Sequence, residues 1–254
     1  MRFSVVGPTY PLRGGISHYT SLLVRNLRIQ HEVQFLSYSR QYPSWLFPGA
    51  SDHEPSSGLA VHESTTRTFD ALSFRQWRRI AHEVGKSQSR LVILPWSVVY
   101  WAPFYWVFLK NLKKHFPTKI LFVCHNVIEH ESSWQKLTVS KKVITKGDYF
   151  ITHSRWDKSN LVRWIEPSRD AHVHVCPHPV YEHLRSDCQL SKAEARHQLG
   201  INAERVILFF GFIREYKGLR YLLESLPRIL ESFQVHLLIA GEVWGGTRTY
   251  TNLI

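Results

Sequence analysis

Short apolar segments alternate with helical patterns along the whole chain, and few folds accommodate that order. Apolar runs predict strands at 2–6, 32–37, 91–94, 119–124, 149–152 and 173–176. Helices are predicted between them, at 17–28, 74–86, 103–115, 134–145 and 155–165. Strands joined by helices indicate an α/β fold with a parallel sheet covered on both faces. Sheets of this kind bind ligands at the carboxyl ends of their strands.

A second unit of the same kind is predicted to begin at Asp187. Ser191 and Glu194 have the spacing of a capping box, which predicts a short helix that stops at Gly200. The runs RVILFFGF and VHLLIAGE then predict two buried strands on either side of an amphipathic helix. One strand–helix–strand unit cannot cover both faces of its sheet. We therefore expect a complete first domain, 1–186, and an incomplete second domain, 187–254.

Residues 91–109 carry no charge and are long enough to cross a bilayer. Pro95 and Pro103 divide this stretch, which favours a buried strand, an aromatic loop and a helix. A membrane span and a surface that rests against lipid are the alternatives. The second alternative draws on the aromatic side chains and on the lysines that follow, since both commonly meet lipid headgroups.

The formal net charge of +12 over 254 residues suggests an anionic partner. A phosphate-bearing substrate, an acidic membrane surface and nucleic acid are the candidates. Nucleic acid is disfavoured, because the basic residues form no dense run and no RNP or zinc-finger pattern is present. Cys124, Cys176 and Cys188 are too few and too far apart for a disulfide scaffold and suit a reducing cytosol.

Gly14 and Gly15 follow the first predicted strand at the entrance of a helix. Glycines there permit positive φ and let backbone N–H groups approach an anion closely, although a purely structural turn is the alternative. The dinucleotide pattern G-x-G-x-x-G is missing from the sequence, and the second strand does not end in an acidic residue. A nicotinamide enzyme is therefore disfavoured.

Two further segments carry residues suited to binding hydroxyl and phosphate groups. His125 directly follows a buried strand in FVCHNVIEHE, where its imidazole can exchange a hydrogen bond with a substrate hydroxyl. Arg214 and Lys217 lie between a strand and a helix in FFGFIREYKG, where two cations can hold a diphosphate. A histidine satisfied within the core and a solvated surface loop are the structural alternatives.

The segment HVHVCPH sets residues with metal-ligating side chains at alternate positions: His172, His174, Cys176 and His178. Neighbours on the same face of an extended strand lie about 7 Å apart, which is too far for several of them to share one ion. Pro177 also ends the extension. We therefore predict no metal site.

Taken together, these segments resemble the glycosyltransferases of family 4 (group 1). Enzymes of that family have the GT-B fold, in which two Rossmann-like domains face one cleft. The resemblance extends over the whole chain through GPTYPLRGGISHYTSLL, RQYPSWLFPG, CHNVIEHE, THS, HPVY, FFGFIREYKGLRYLLESL and LLIAGE. It implies an acceptor-side first domain and a donor-binding second domain. The implied reaction transfers a sugar from a nucleotide-sugar donor to a glycan or lipid-linked acceptor with retention of configuration.

The resemblance also implies roles for individual residues. His125 matches the family's active-site histidine, which lies near the transferred sugar. Amides around Gly14 and Gly15 would approach the donor diphosphate. Arg214 and Lys217 would neutralise the leaving diphosphate without a metal ion or another cofactor. Phe212 stands where the family usually has an arginine, so Arg214 is expected to take over that role.

The family's E-x7-E segment, which holds the donor sugar and ribose, would lie beyond Ile254. Catalysis by close approach and charge stabilisation needs both walls of the cleft, so we expect a truncated donor domain and impaired activity. The alternative is a non-catalytic remnant or an acceptor-binding module. For the parent enzyme we expect a cytoplasmic location, contact with the anionic inner face of the membrane, and a role in building cell-envelope glycans.

Overall fold

The computed structural model describes residues 1–43, 51–54, 61–128, 133–181 and 190–243. These residues form two compact units, the first ending at Val180 and the second beginning at Tyr181. The predicted domain boundary between 186 and 187 falls within 182–189, outside the described residues. Most of RQYPSWLFPG and the end of CHNVIEHE also lie outside them.

The first unit is built on a seven-stranded sheet in which every neighbouring pair of strands is parallel. Its strands are β1 (Arg2–Val6), β2 (Glu32–Arg40), β3 (Thr66–Asp70), β4 (Leu91–Trp96), β5 (Lys119–Cys124), β6 (Tyr149–Thr152) and β7 (Val173–Val175). They lie in the order β3-β2-β1-β4-β5-β6-β7, which confirms the predicted α/β class. The strand order changes direction between β1 and β4, and sheets of this type bind ligands at such a switch point.

Helices connect these strands in the described part of the first unit. They are α1 (Gly15–Arg28), α2 (Phe74–Lys86), α3 (Ala102–His115), α4 (Trp134–Ile144) and α5 (Arg155–Val162). Each lies where the apolar periodicity predicts a helix, within a few residues at either end. A side-chain cap marks the start of α5, because the Ser154 hydroxyl accepts a hydrogen bond from the Asp157 N–H at 3.0 Å.

Two apolar layers cover the two faces of the sheet. On one face, Val5, Ile93 and Val123 pack with Tyr19 and Val24 of α1. On the other face, strand residues pack against a largely aromatic layer from α2 and α3: Leu94, Phe122 and Phe150 with Trp77, Phe104, Tyr105 and Phe108. Burying one large apolar side chain stabilises the fold by about 1.5–3 kcal/mol. The strands are therefore held firmly, and so are the residues that directly follow them.

The uncharged stretch 91–109 forms β4, a short 3-10 turn (Val99–Trp101) and the first part of α3. The prediction of strand, loop and helix is thus confirmed, with Pro103 in the first turn of α3. Within the described residues, no helix is both long enough and apolar enough to cross a bilayer.

One detail of β4 differs from the prediction, because the strand runs through Pro95 to Trp96 instead of ending at Leu94. Proline has no N–H for a sheet ladder and is unusual in a central strand. It is tolerated here because the register between β1 and β4 ends with Val5 opposite Ile93. The Tyr105 hydroxyl donates a hydrogen bond to the Pro95 carbonyl and satisfies it.

The described part of the second unit consists of α6 (Lys192–Gln198), β8 (Arg205–Phe210), α7 (Leu219–Ser232) and β9 (Val235–Ala240). Both halves of the predicted capping box at α6 are present, between Ser191 and Glu194. β8 and β9 pair in parallel, as the strand–helix–strand pattern predicts. Their apolar side chains are less covered than those of the first unit, with Leu208 and Phe210 57% and 79% exposed.

Candidate active site

Gly14 is the N-cap residue of α1 and Gly15 is its first residue, and the segment 7–13 separates them from the end of β1. Gly14 has φ +129°, a backbone conformation that residues with a side chain rarely adopt. A Cβ on either glycine would meet no atom within 4 Å, so crowding does not account for these glycines. Helix N-termini present backbone N–H groups and a partial positive charge, and this arrangement suits an anion.

A cleft of about 100 Å³ lies beside these glycines, and its walls include Pro95 and Ser97 from the end of β4. It therefore occupies the switch point between β1 and β4. Four aromatic residues also line it: Tyr38, Tyr42, Trp101 and Tyr105. Burial raises the pKa of Tyr38 and Tyr105 well above its usual value, so both phenols stay protonated.

His125 is the first residue after β5, at the same carboxyl edge of the sheet. Its N–H donates to the Trp96 carbonyl at 2.8 Å, which extends the ladder between β4 and β5 by one bond. The imidazole meets the ring of Tyr19 from α1 edge-on, with 4.7 Å between the ring centroids. His125 is thus fixed by both backbone and side chain, as its position after a buried strand predicts.

The electrostatic surroundings of His125 keep its imidazole neutral. Burial, followed by the nearby His153 and His178, lowers its pKa to about 3. Its Nε2 is buried and has no hydrogen-bond partner among the described residues. A neutral imidazole with an unpaired ring nitrogen can donate a hydrogen bond to a ligand hydroxyl or accept one from it. It contributes no positive charge to anion binding.

His153 and His178 join His125 in a group that the sequence analysis did not predict, here named the histidine cluster. His153 directly follows β6, and His178 lies three residues after β7. The ring centroids are 5.0 Å apart for His125 and His153, 5.0 Å for His153 and His178, and 6.3 Å for His125 and His178. The Tyr19 ring contacts all three.

A backbone hydrogen bond fixes the tautomer of His153. Its Nδ1–H donates to the Cys176 carbonyl at 2.9 Å, so in the neutral ring Nε2 carries the lone pair. That Nε2 is buried, again with no hydrogen-bond partner among the described residues. Burial chiefly lowers the pKa of His153, which favours the neutral form.

The other members of the HVHVCPH segment do not join this cluster. His174 is an exposed residue of β7, and His172 donates from Nδ1 to the Asp148 carbonyl at 3.1 Å, before β7 begins. The alternate residues of this segment therefore do not come together, as a spacing of about 7 Å along one face of a strand requires. The cluster instead draws one histidine from each of three neighbouring strand ends. The only sequence signal for it is that all three follow predicted strands.

Asp157 connects the segment after β5 to the segment after β6. Its Oδ1 accepts from the Val127 N–H at 3.2 Å, and its Oδ2 accepts from the Ser154 hydroxyl at 2.6 Å. The carboxylate therefore holds the chain just beyond His125 against the start of α5, which begins just beyond His153.

Arg214 and Lys217 lie in the second unit, in the segment between β8 and α7, as predicted. Arg214 precedes a 3-10 turn (Glu215–Lys217). The Tyr216 ring centroid is 5.9 Å from the Arg214 guanidinium carbon and 5.8 Å from Lys217 Nζ. Gly14, Gly15 and His125 share the first unit, whereas these two cations belong to the second.

Comparison with known proteins gives one curated relative. No protein-family model matches the sequence. Spore coat protein SA of Bacillus subtilis (strain 168) is 31% identical over 262 residues, an alignment that covers 97% of this chain and 61% of that protein. The chain therefore spans less than two thirds of the length of this relative.

Solved structures give a consistent likeness in fold. HepE from Anabaena in complex with UDP and glucose superposes with a TM-score of 0.60 at 13% identity, covering 98% of this chain and 63% of that one. For UDP-N-acetylglucosamine 2-epimerase from Rickettsia bellii the TM-score is 0.59 at 11% identity, with 100% and 64% covered. An alpha-glucosyltransferase in complex with UDP-glucose and DNA containing an abasic site gives 0.54 at 10% identity, with 96% and 68% covered. The chain thus shares the α/β, GT-B-like Rossmann fold of these structures.

Proposed function

We propose that the protein is a family 4 glycosyltransferase that transfers a sugar from a nucleotide-sugar donor to a glycan or lipid-linked acceptor, with retention of configuration. The observation that carries this proposal is that Gly14, Gly15 and His125 lie at one ligand-binding edge of the sheet. The named structures that share this fold were solved with UDP or UDP-glucose in two of the three cases described.

The proposed roles follow from charge and position. During transfer the bond between the anomeric carbon and the diphosphate breaks, and negative charge grows on the leaving diphosphate. The N–H groups at the start of α1, with Arg214 and Lys217, stabilise that charge without a metal ion or cofactor. The neutral imidazole of His125 donates a hydrogen bond to a hydroxyl of the transferred sugar or accepts one from it. This contact aligns the anomeric carbon for attack.

A titration with nucleotides tests the donor half of this proposal. UDP, GDP and ADP are titrated into the full chain, and we expect one of them, UDP first, to bind. Hydrogen bonds to charged groups contribute about 1.5–3 kcal/mol, so Lys217→Ala should weaken binding about tenfold or more. Lys192→Ala, which removes a lysine of α6, is the matched control. Equal affinities for the two variants, or no binding by any nucleotide, would contradict the proposal.

We also propose that the enzyme works on the cytoplasmic face of an anionic membrane, through a surface formed by α2, α3 and α4. Phe74, Trp106 and Val139 are exposed there by 61%, 41% and 42%. They line a shallow apolar groove of about 380 Å³, which also includes Lys142. Exposed aromatic side chains beside lysines suit the interfacial region of a bilayer.

A basic cavity adjoins this groove and supplies the charge complementarity. It has a volume of about 540 Å³ and shares Trp106 with the groove. Its cationic lining residues are Lys110, Lys113, Lys119, Lys146 and Arg169. Asp148 is the single carboxylate among its described lining residues. An anionic lipid headgroup matches this excess of positive charge, and the enzyme would bind a lipid-linked acceptor at the same membrane.

Vesicle flotation tests the membrane contact. We expect the protein to float with vesicles that contain phosphatidylglycerol and not with phosphatidylcholine alone. A lysine near an anionic surface contributes about 1 kcal/mol, so Lys110→Glu with Lys142→Glu should reduce binding at least about tenfold. Lys86→Glu with Lys192→Glu changes the net charge equally at positions outside the groove and cavity. Equal loss of binding for both pairs would show a diffuse charge effect and overturn this site.

A cell-envelope glycan is the proposed class of product. This class is supported by the curated relative, which is named as a spore coat protein. Incubating the full chain with a UDP-sugar and extracted envelope glycans or lipid carriers tests it, with labelled sugar in the glycan fraction as the expected result. Label that appears only as free sugar would contradict this product class.

A further inference from the structure

We propose that the histidine cluster is a binding site for a divalent transition-metal ion of the zinc class. His125, His153 and His178 each offer one ring nitrogen, and these nitrogens all lie within 4.8 Å of one another. Three imidazoles with an open fourth position are a common ligand set for Zn²⁺. This site differs from the one-strand arrangement that the sequence analysis ruled out, because each ligand comes from a different strand end.

The three ring nitrogens need to move only a short distance towards one another to bind one ion. Zinc–nitrogen bonds of about 2.0–2.1 Å place tetrahedral ligands about 3.4 Å apart. The widest pair must therefore approach by about 1.4 Å. His125 is held by its backbone bond to Trp96, whereas His178 is an exposed residue that follows Pro177. Rotation of the His178 side chain is the simplest way to close the site.

Two of the ligands are already prepared for an ion. His153 donates its Nδ1–H to the Cys176 carbonyl, the arrangement that metal-binding histidines use to direct Nε2 towards the ion. The Nε2 atoms of His125 and His153 are buried and lack a hydrogen-bond partner within the described part of the chain. Buried polar atoms are normally satisfied, and one bound ion would satisfy both.

An ion at this site would occupy His125 Nε2. If the proposed function holds, zinc would therefore remove His125 from the sugar and inhibit transfer reversibly. This consequence rests on the proposed function, whereas metal binding itself does not. The open fourth position would be taken by water or by a small anion.

The test titrates Zn²⁺ alone into the full chain, and Co²⁺ as a spectroscopic substitute. We expect one high-affinity ion for each chain and the intense visible absorption of tetrahedral Co²⁺. Loss of a supporting residue already lowers metal affinity 10–100-fold, so His153→Ala and His178→Ala, which remove ligands, should lower it at least about 100-fold. His174→Ala, an exposed histidine of the same segment, should leave it unchanged. Equal affinity in all three variants, or only the weak octahedral Co²⁺ spectrum, overturns the proposal.

Thermal unfolding with and without Zn²⁺ separates loss of a ligand from loss of the fold. The ion should raise the Tm of the wild-type chain and of His174→Ala, and not that of His178→Asn, whose exposed side chain adds little to the core. An equal rise in Tm for His178→Asn overturns the proposal. No nucleotide is present in either measurement, so a failure of the glycosyltransferase proposal leaves this result unaffected.

Discussion

The two edges of the first unit's sheet carry different kinds of side chain. At the carboxyl edge, glycines and neutral histidines follow β1, β5 and β6, and the His125 and His153 nitrogens are buried and unsatisfied within the described residues. At the amino edge, Lys113 and Lys119 bind the Asp148 carboxylate at 3.1 and 3.5 Å. Arg169 there donates to the backbone carbonyls of Thr145 and Gly147. One edge has polar atoms without hydrogen-bond partners among the described residues, whereas the other uses its charges in contacts that support the fold.

The largest effect is expected at the carboxyl edge, for His125→Ala. Misplacing a reacting group by about 1 Å can cost about 10²-fold in rate, so sugar transfer should fall by about that factor. UDP binding should hardly change, because the proposed contact of His125 is to the sugar. Transfer is measured with radiolabelled donor, and UDP affinity by calorimetry.

A histidine at the other edge provides the control for that comparison. His115 ends α3 near the amino edge, and His115→Ala should leave the transfer rate within about twofold, since surface substitutions have small effects. Equal rate losses for His125→Ala and His115→Ala would remove the proposed distinction between the edges.

Gly85→Ala should mainly affect stability, because Gly85 lies at the amino edge, near the end of α2. A Cβ there would overlap the Phe116 ring, which precedes β5. Overpacking of a core typically costs about 1–3 kcal/mol, and we expect a loss of that size in chemical denaturation. UDP binding by the folded fraction should be unchanged. Weaker UDP binding without a loss of stability would contradict this division of roles.

The two glycines at the entrance of α1 should respond differently to alanine. Gly14→Ala forces a side chain into φ +129° and should destabilise the protein by about 1 kcal/mol. Gly15→Ala should be neutral or slightly stabilising, because that residue is helical and a Cβ there meets open space. Denaturant midpoints measure both. A larger loss for Gly15→Ala would mean that the conformation of Gly14 is not the constraint.

The smallest effect concerns the pH dependence of Asp148. Burial raises its pKa, but the Ile120 N–H and the ammonium groups of Lys113 and Lys119 outweigh burial, so the net pKa is lowered. A carboxyl with a lowered folded pKa stabilises the protein above its unfolded pKa of about 3.9. That contribution is lost as the pH falls below about 4 and through the folded pKa. Asp148→Asn should therefore lower the Tm at pH 7 and reduce the difference between the Tm at pH 7 and the Tm at pH 3. An unchanged difference in Tm would contradict this linkage between protonation and stability.

Local patterns predicted most of the elements that build the first unit. Apolar runs identify β1, β5 and β6, and apolar periodicity identifies the helices α1 to α5 within a few residues at either end. β3 was missed because TRTFD contains a single apolar residue, Phe69, and so forms neither an apolar run nor an alternating pattern. Its pairing with β2 stabilises it, and no local pattern records that pairing.

The site was predictable only where one segment carries it. Gly14, Gly15 and His125 were identified because each lies next to a recognisable strand or helix. The histidine cluster was not, since it depends on β5, β6 and β7 being neighbours in the sheet. His178 is also separated from β7 by two residues, one of them Pro177, so its position depends on the path of that short segment. Long-range order of this kind follows from packing of the whole unit and not from any window of sequence.

Pro95 has a consequence for the strand pairing beside the cleft. Because its nitrogen carries no hydrogen, Pro95 cannot donate a main-chain hydrogen bond to β1, and the pairing of β1 with β4 ends with Val5 opposite Ile93. The two strands still lie close together there, because a Cβ on Gly7 would come within 2.7 Å of Pro95 Cγ. The Pro95 carbonyl accepts its hydrogen bond from the Tyr105 hydroxyl. Side-chain packing and a side-chain hydrogen bond therefore replace the sheet ladder at the cleft, and no ligand can restore a donor that proline lacks.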